Sequence, residues 1–394
     1  MNCNMSIGRQ NEPLGSRLVR ALGPSTEERQ AWFHHMQETQ PVRYHPESHL
    51  WEVFRYKDVQ QVLLDSATFA KESEPDPAQH RKRRGLMSNE FTSRRIEELT
   101  PRLIQIVDEL LEPARASGKM NVVTELASPL PVRIIAELLG LPLSGQERVQ
   151  QWSYQRFIGV GDSDKNELFR FLSDVLDERK RDPRDDLMSR LLAAEENEAH
   201  LTREEIISMC KELMVTGSIT TMILLSRVLY RCCLYPEIYQ ALRDNPSLIQ
   251  GAIEETLRYD FASSHLCRTT LHDTVLGGHQ IKAGETVVAW RGAANFDETY
   301  FPHSEQFDIR RSPNPHLTFG YGVHVCLGHP LARLEGRILL ERIVAHFSEI
   351  RLDPEDSVQY TDKMASEFIQ SLGVLFTKAC SPVSEKFRNS HTVN

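Results

Sequence analysis

The sequence predicts a mainly α fold with small β-sheets, forming one domain over residues 1–380, with a polar, disordered tail over 381–394. Three observations carry that reading. Apolar residues recur at helical spacing through most of the chain. Glycine-punctuated β-branched runs are confined to two short stretches. With 394 residues and 40% hydrophobic content, the chain can bury a large core, and no linker composition divides it.

The N-terminal MNCNMSIGRQNEPLGSRLV has neither the apolar core of a signal peptide nor the long apolar run of a membrane anchor, so a soluble, cytoplasmic protein is expected. Ile96, Leu99, Leu103, Ile106, Val107, Leu110 and Leu111 make one helical stripe; Ile134, Ile135, Leu138 and Leu139 make another after Pro131. The longest helix starts at Thr202, with Glu205 completing a capping box, and ends before Pro236. At 1.5 Å per residue its ~33 residues would span ~50 Å. Its interior holds Thr216-Gly217-Ser218-Ile219-Thr220-Thr221, poor helix-forming material. Thr220 can turn its hydroxyl onto the Thr216 carbonyl and loosen the ladder beside Gly217, leaving a groove; the alternative is a helix-packing notch. Strands are expected between Thr270 and Trp290, around Gly277-Gly278 and Lys282-Ala283-Gly284, and again near Val374 to Phe376.

A formal charge of −9 argues against a nucleic-acid binder, whose phosphate contacts need a basic face. Seven cysteines, two of them adjacent (Cys232 and Cys233) and the rest irregularly spaced, do not form a disulfide framework or a CxxC metal site, so a reducing compartment fits.

One cysteine stands apart. Phe319-Gly320-Tyr321-Gly322-Val323-His324-Val325-Cys326-Leu327-Gly328 frames a thiol with glycines that let backbone approach closely. The segment after it has helical periodicity, with Pro330 tolerable in the first turn. Cys326 therefore sits at a helix N-terminus, where free N–H groups and the dipole favour a negative sulfur. A small buried hydrophobe is the bland alternative, but packing alone needs no such frame.

The window FGYGVHVCLGHPLARLE resembles the heme-binding loop of the cytochrome P450 family, of the soluble bacterial type, and the resemblance runs from the His80 segment to the final strand. It implies a heme b with Cys326 as the iron ligand and Phe319 and Gly328 against the cofactor. It also implies that His80, Arg84, Arg268 and His324 bind the propionates. For His80 and Arg84 the rival is a solvated basic face; both readings can hold, with Arg84 inward and Arg81 and Arg83 outward. By the same resemblance Gly217 and Thr220 belong to an oxygen-binding groove. Ile219 stands where the family usually carries an acid, which leaves proton supply open. Glu255 and Arg258 in GAIEETLRYD look like the family's Glu-x-x-Arg pair, with Arg310 as third member. Alone, two such residues three apart could be a surface pair. Phe296 in AANFD replaces the more usual arginine.

For the substrate pocket, Leu213, Thr216, Ala262, Ser263, Ser264, His265 and Phe368 are the candidates. The stretches from Phe69 to His80 and from Ile158 to Asn166 are shorter than usual, so an open distal pocket is expected. The resemblance implies a monooxygenase that uses O2 on a lipophilic organic substrate, a natural-product intermediate. Electrons would come from a ferredoxin or flavodoxin and its reductase, with NAD(P)H acting only through them. Two alternatives remain: a peroxide-driven or partner-independent heme enzyme, and a non-catalytic activator of the same fold.

Overall fold

The longest helix, Arg203–Leu234, sets the architecture. The chain is described by a computed structural model over residues 26–71, 77–142, 145, 148–152, 165–194, 201–260, 265–356, 358–360 and 368–379. Thr202 is the N-cap of the long helix: its hydroxyl accepts from the Glu205 N–H, and the Glu205 carboxylate accepts from the Thr202 N–H at 2.9 Å. Thirty-two residues carry the helix ~48 Å through the protein. It is apolar and long enough to cross a membrane, yet 67% of its most apolar stretch is buried inside the protein, as in a core helix.

The polar run in its middle does not break it. Thr216 Oγ1 donates to the Glu212 carbonyl at 2.8 Å, Ser218 Oγ to Met214 at 2.6 Å and Thr220 Oγ1 to Thr216 at 2.7 Å. These back-bonds hold the hydroxyls against a continuous helix, and no loosening beside Gly217 accompanies them. A Cβ on Gly217 would lie 2.8 Å from Ile135 Cδ1, so this glycine lets the helix Pro129–Leu139 pack close. That close approach is what the packing-notch alternative expects.

The helices Ile249–Tyr259 and His329–His346 also pack on the long helix. The helix Thr100–Ser117 lies against His329–His346 and buries the predicted Leu103, Ile106, Val107, Leu110 and Leu111 stripe. Beside this helical core stands a five-stranded sheet in the order β1 (Val42–His45), β2 (Leu50–Val53), β8 (Thr286–Ala289), β5 (Leu266–Thr270) and β3 (Phe69–Ala70). Only β2 and β8 run parallel. A three-stranded sheet joins β4 (Lys119–Asn121), β12 (Gly373–Lys378) and β9 (Phe347–Leu352), and the hairpin β6 (Thr274–Leu276) and β7 (His279–Ile281) falls in the expected region. The segments 72–76 and 153–164, on which the expected shortening partly rests, lie outside the described residues, as does the tail 381–394.

Candidate active site

The segment Leu317–Gly328 is a loop built to present one sulfur. Gly320 and Gly322 both adopt positive φ (75° and 72°), which a side chain would disfavour. At Gly322 a Cβ would also sit 3.0 Å from the Leu63 carbonyl, so the helix Tyr56–Leu64 can approach only a bare backbone. The Cys326 N–H donates to the Phe319 carbonyl at 2.7 Å and closes the loop. The helix His329–His346 begins directly after Gly328 with Pro330 in its first turn, and the N–H groups of Gly328 and His329 point at the Cys326 sulfur. Burial pushes the Cys326 thiol up; those N–H groups, Arg291 and Arg84 oppose it without overcoming it. The helix N-terminus alone therefore does not make a thiolate here, and a bound cation would. The sulfur remains reachable, and around Gly328 a Cβ would meet open space.

The loop hangs on a buried charge network. Glu255 and Arg258, both fully buried, pair through Arg258 Nη2 at 2.7 Å and Nε at 2.9 Å. The remaining capacity of Glu255 is filled by the Asp308 N–H (2.9 Å), Asn314 Nδ2 (3.0 Å) and Arg311 Nε (3.3 Å). The third member is thus Arg311, not the expected Arg310. Arg310 is exposed, and among the described residues its side chain has no hydrogen bond; its backbone N–H donates to Asp308. The two arginines are adjacent, and the turn geometry at Asp308–Arg311 decides which one faces inward. Arg258 also donates to the carbonyls of Asn295 (2.9 Å) and Gln306 (3.1 Å). Asn295 in turn accepts from the Leu317 N–H (2.8 Å) and donates to Thr318 Oγ1 (2.9 Å), which carries the network into the cysteine loop. Phe296 explains itself here: buried, it lies 5.2 Å under the Arg258 guanidinium, a cation–π contact where a second cation would repel.

A second support is Glu254, which takes Arg333 at 2.7 and 2.8 Å and His316 at 3.0 Å. Burial would raise its carboxyl, but Arg333 and His316 bring it down to about 2. Arg333 also stacks 4.7 Å over the Phe319 ring, which packs beside His316 and His329. Phe319 is therefore fixed under the loop.

Cations converge on the loop from separate segments. Arg84 Nη2 donates to the Val325 carbonyl at 2.6 Å, next to Cys326. Arg268 on β5 is 4% exposed, and its Nη1 reaches the Cys267 carbonyl at 2.8 Å. His324 lies partly buried in the turn Gly322–His324. His80 lies on the helix Pro77–Ser88, but its side chain is outside the described residues. Arg81 is exposed, while Arg83 pairs with Glu205 at 2.9 Å rather than joining a free basic face. Sequence reasoning missed Arg291, which is 7% exposed and donates to the Thr318 carbonyl at 2.5 Å. Burial pulls its guanidinium down to about 10; Cys326 favours its charge and Arg268 opposes it. An arginine inside the apolar run VVAWRGAA was the available signal.

On the long helix, Thr216 and Thr220 are exposed, whereas Leu213 and Ile219 are buried in the core and Gly217 faces Ile135. Leu213, 9% exposed, packs within the main core cluster. The position of Ile219 is apolar in its surroundings as well as in its side chain. Phe368, 1% exposed, also packs within that cluster. Of the segment before Arg268, Ala262, Ser263 and Ser264 lie outside the described residues. His265 packs at 5.1 Å on Trp290, and burial and then Arg291 pull its imidazole down to about 4, so it is neutral.

A reachable cysteine sulfur at a helix N-terminus, with Arg84 and Arg291 beside it, is an arrangement suited to ligating a metal through its thiolate. The cytochrome P450 family model matches residues 155–372. Among curated proteins, putative cytochrome P450 YjiB of Bacillus subtilis (strain 168) is 35% identical, covering 84% of this chain and 91% of its own. The mycinamicin IV hydroxylase/epoxidase of Micromonospora griseorubida is 35% identical with the same coverage of both chains. Among solved structures, CYP109E1 from Bacillus megaterium in complex with testosterone superposes with a TM-score of 0.83 at 31% identity, covering 89% of this chain and 99% of that one. The chain belongs to the cytochrome P450 family, whose members are monooxygenases that use heme b and O2.

The residues fit that cofactor. Two buried guanidiniums that disfavour each other, Arg268 and Arg291, with Arg84 beside the sulfur, would be balanced by a thiolate and the two carboxylates of a heme. The open space at Gly328 leaves a flat group room against the loop.

Proposed function

We propose that this P450 inserts one oxygen atom of O2 into a lipophilic natural-product intermediate in the cytoplasm. A ferredoxin or flavodoxin and its reductase would supply two electrons, and two protons convert the second oxygen atom to water. The observation that carries the site assignment is the Cys326 sulfur, reachable and aimed at by the Gly328 and His329 N–H groups. The natural-product class rests on relatives such as the mycinamicin IV hydroxylase/epoxidase.

When bound, the heme supplies oxygen activation, and the thiolate that holds it pushes electron density toward O–O cleavage. The protein's own residues do the rest. Gly328 and His329 would hold the sulfur's charge, while Arg84, Arg268, Arg291 and His324 would hold the propionates. Phe319, locked under Arg333, keeps the loop from shifting. On the long helix Thr220 offers a hydroxyl whose proton rests on the Thr216 carbonyl and whose lone pairs can accept from water. Ile219 contributes no proton, so protons reach Thr220 through water or substrate hydroxyls.

The test is the absorption spectrum of reduced protein with and without carbon monoxide, alongside Cys326→Ala. A strongly red-shifted Soret band that vanishes in the variant is expected; a band typical of histidine ligation, or no heme, overturns the reading. The buried Ile219 keeps one rival in view, turnover with hydrogen peroxide alone. Product formed faster with peroxide than with a ferredoxin system would favour it.

A further inference from the structure

Exposure along the long helix follows a single line. Glu204, Ser208, Glu212, Thr216 and Thr220 are each exposed, four residues apart, and from Thr221 to Leu229 every residue is buried. Residues at i and i+4 adjoin on a helix surface, so these five form one ridge, which begins at the helix N-terminus and stops at Thr220. Every one of them is polar, in a helix that otherwise presents Leu, Ile, Met and Val to the core. Two hydroxyls on the ridge are already committed to backbone carbonyls. The Glu212 carboxylate is different: among the described residues it has no ion pair and no side-chain hydrogen bond, only its backbone carbonyl accepting from Thr216. It lies eight positions before Thr220, ~12 Å along the helix axis.

A carboxylate on the accessible line that leads to Thr220 does not tolerate every ligand. A neutral, lipophilic molecule laid along the ridge would strip water from Glu212 and leave the charge uncompensated; an anion would add repulsion. A molecule with a cationic group replaces the lost water with an ion pair in a medium of low dielectric. We propose that Glu212 anchors the substrate and selects a lipophilic organic cation, an amine-bearing molecule whose charged end lies toward Glu212 and whose apolar body extends toward Thr220. This rests on the P450 reading above and adds the substrate's charge class to it. Discrimination arises as much from the penalty on neutral and anionic ligands as from the attraction.

The test uses holoenzyme and three probes of equal chain length: dodecyltrimethylammonium, dodecanol and dodecanoate, each below its micelle concentration. The quaternary ammonium has no lone pair with which to ligate iron, and isothermal titration calorimetry reads binding whether or not the heme spectrum shifts. Wild type is expected to bind the cation about tenfold more tightly than the alcohol, with dodecanoate weakest. Glu212→Gln is expected to bring cation and alcohol to the same affinity, and Glu212→Lys to favour dodecanoate. Added salt should narrow the wild-type preference. An alcohol bound as tightly as the cation by wild type, or a cation preference that survives in Glu212→Gln, overturns the proposal. The carbon monoxide spectrum, taken on the same preparations, separates the two levels. An intact red-shifted band with no charge preference defeats the anchor alone, and a missing band in wild type defeats the reading beneath it.

Discussion

The two sides of the site are held in opposite ways. On the cysteine side, the loop is fixed by side chains from distant segments: Arg258 and Glu255, Asn295, Arg333 and Glu254 all reach it or its supports. On the threonine side, Thr216 and Thr220 are satisfied within one helical turn, by the carbonyls four residues behind them. A long-range network makes each member costly to remove, because its partners are buried. A local back-bond leaves nothing stranded when it goes. The contrast predicts that stability is concentrated around the cysteine loop and that the exposed threonines can be altered at little structural cost.

The largest effect is expected from Arg258→Met. It leaves the fully buried Glu255 with its main donor gone, and breaking such a pair costs about 3–5 kcal/mol. Urea unfolding should show that loss, together with poor heme retention as the loop comes free. A wild-type midpoint would erase the difference between the two sides.

Arg291→Gln separates charge balance from folding. In apoprotein the guanidinium is disfavoured by burial and by Arg268, so its loss should leave the unfolding midpoint unchanged or raise it. In holoprotein the same change removes a charge-assisted contact of about 1.5–3 kcal/mol. Heme transfer to an acceptor globin should then run about tenfold faster or more. Equal losses in both forms would make Arg291 a structural residue only.

How much of this was legible beforehand divides along the same line. The capping box at Thr202, the long helix, the Glu255 and Arg258 pair and the cysteine loop are spacing patterns, and spacing is what a sequence displays directly. Arg311 against Arg310 was not legible, since adjacent residues differ only in which way the turn points them. What Gly217, Leu213 and Phe368 pack against is equally hidden in spacing, since it depends on the fold: Ile135 for Gly217, the main core for the other two. Arg291 was hidden for a related reason. Its partners, the Thr318 carbonyl and Cys326, are brought near only by the fold.

Glu335 offers a pH-resolved test on the helix that follows Cys326. It is fully buried, neither carboxylate oxygen has a partner among the described residues, and burial holds its carboxyl well above the usual range. A folded-state value raised above the unfolded one means both states are protonated at low pH and the penalty is absent. The penalty then grows as pH rises above the ordinary Glu value of ~4.3 and levels off at the folded value. Glu335→Gln should therefore match wild type near pH 4 and exceed it by about 1–3 kcal/mol at neutral pH. A gain that is the same at both pH values would show that the group is paired and ionised in the native protein.

The smallest expected change in stability is Thr220→Ala, and it is the sharpest check on the comparison. The hydroxyl donates to a carbonyl within a continuous helix, so its removal orphans no buried group. Alanine is also the better helix former, by up to ~0.7 kcal/mol. The unfolding free energy should stay within about 0.5 kcal/mol of wild type or rise slightly. Hydrogen peroxide released per electron pair consumed should increase, because the one exposed hydroxyl at the end of the ridge is gone, and Thr220→Ser should restore it. A loss of more than about 1 kcal/mol would mean that the hydroxyl braces the helix, and the two sides of the site would then be held in the same way.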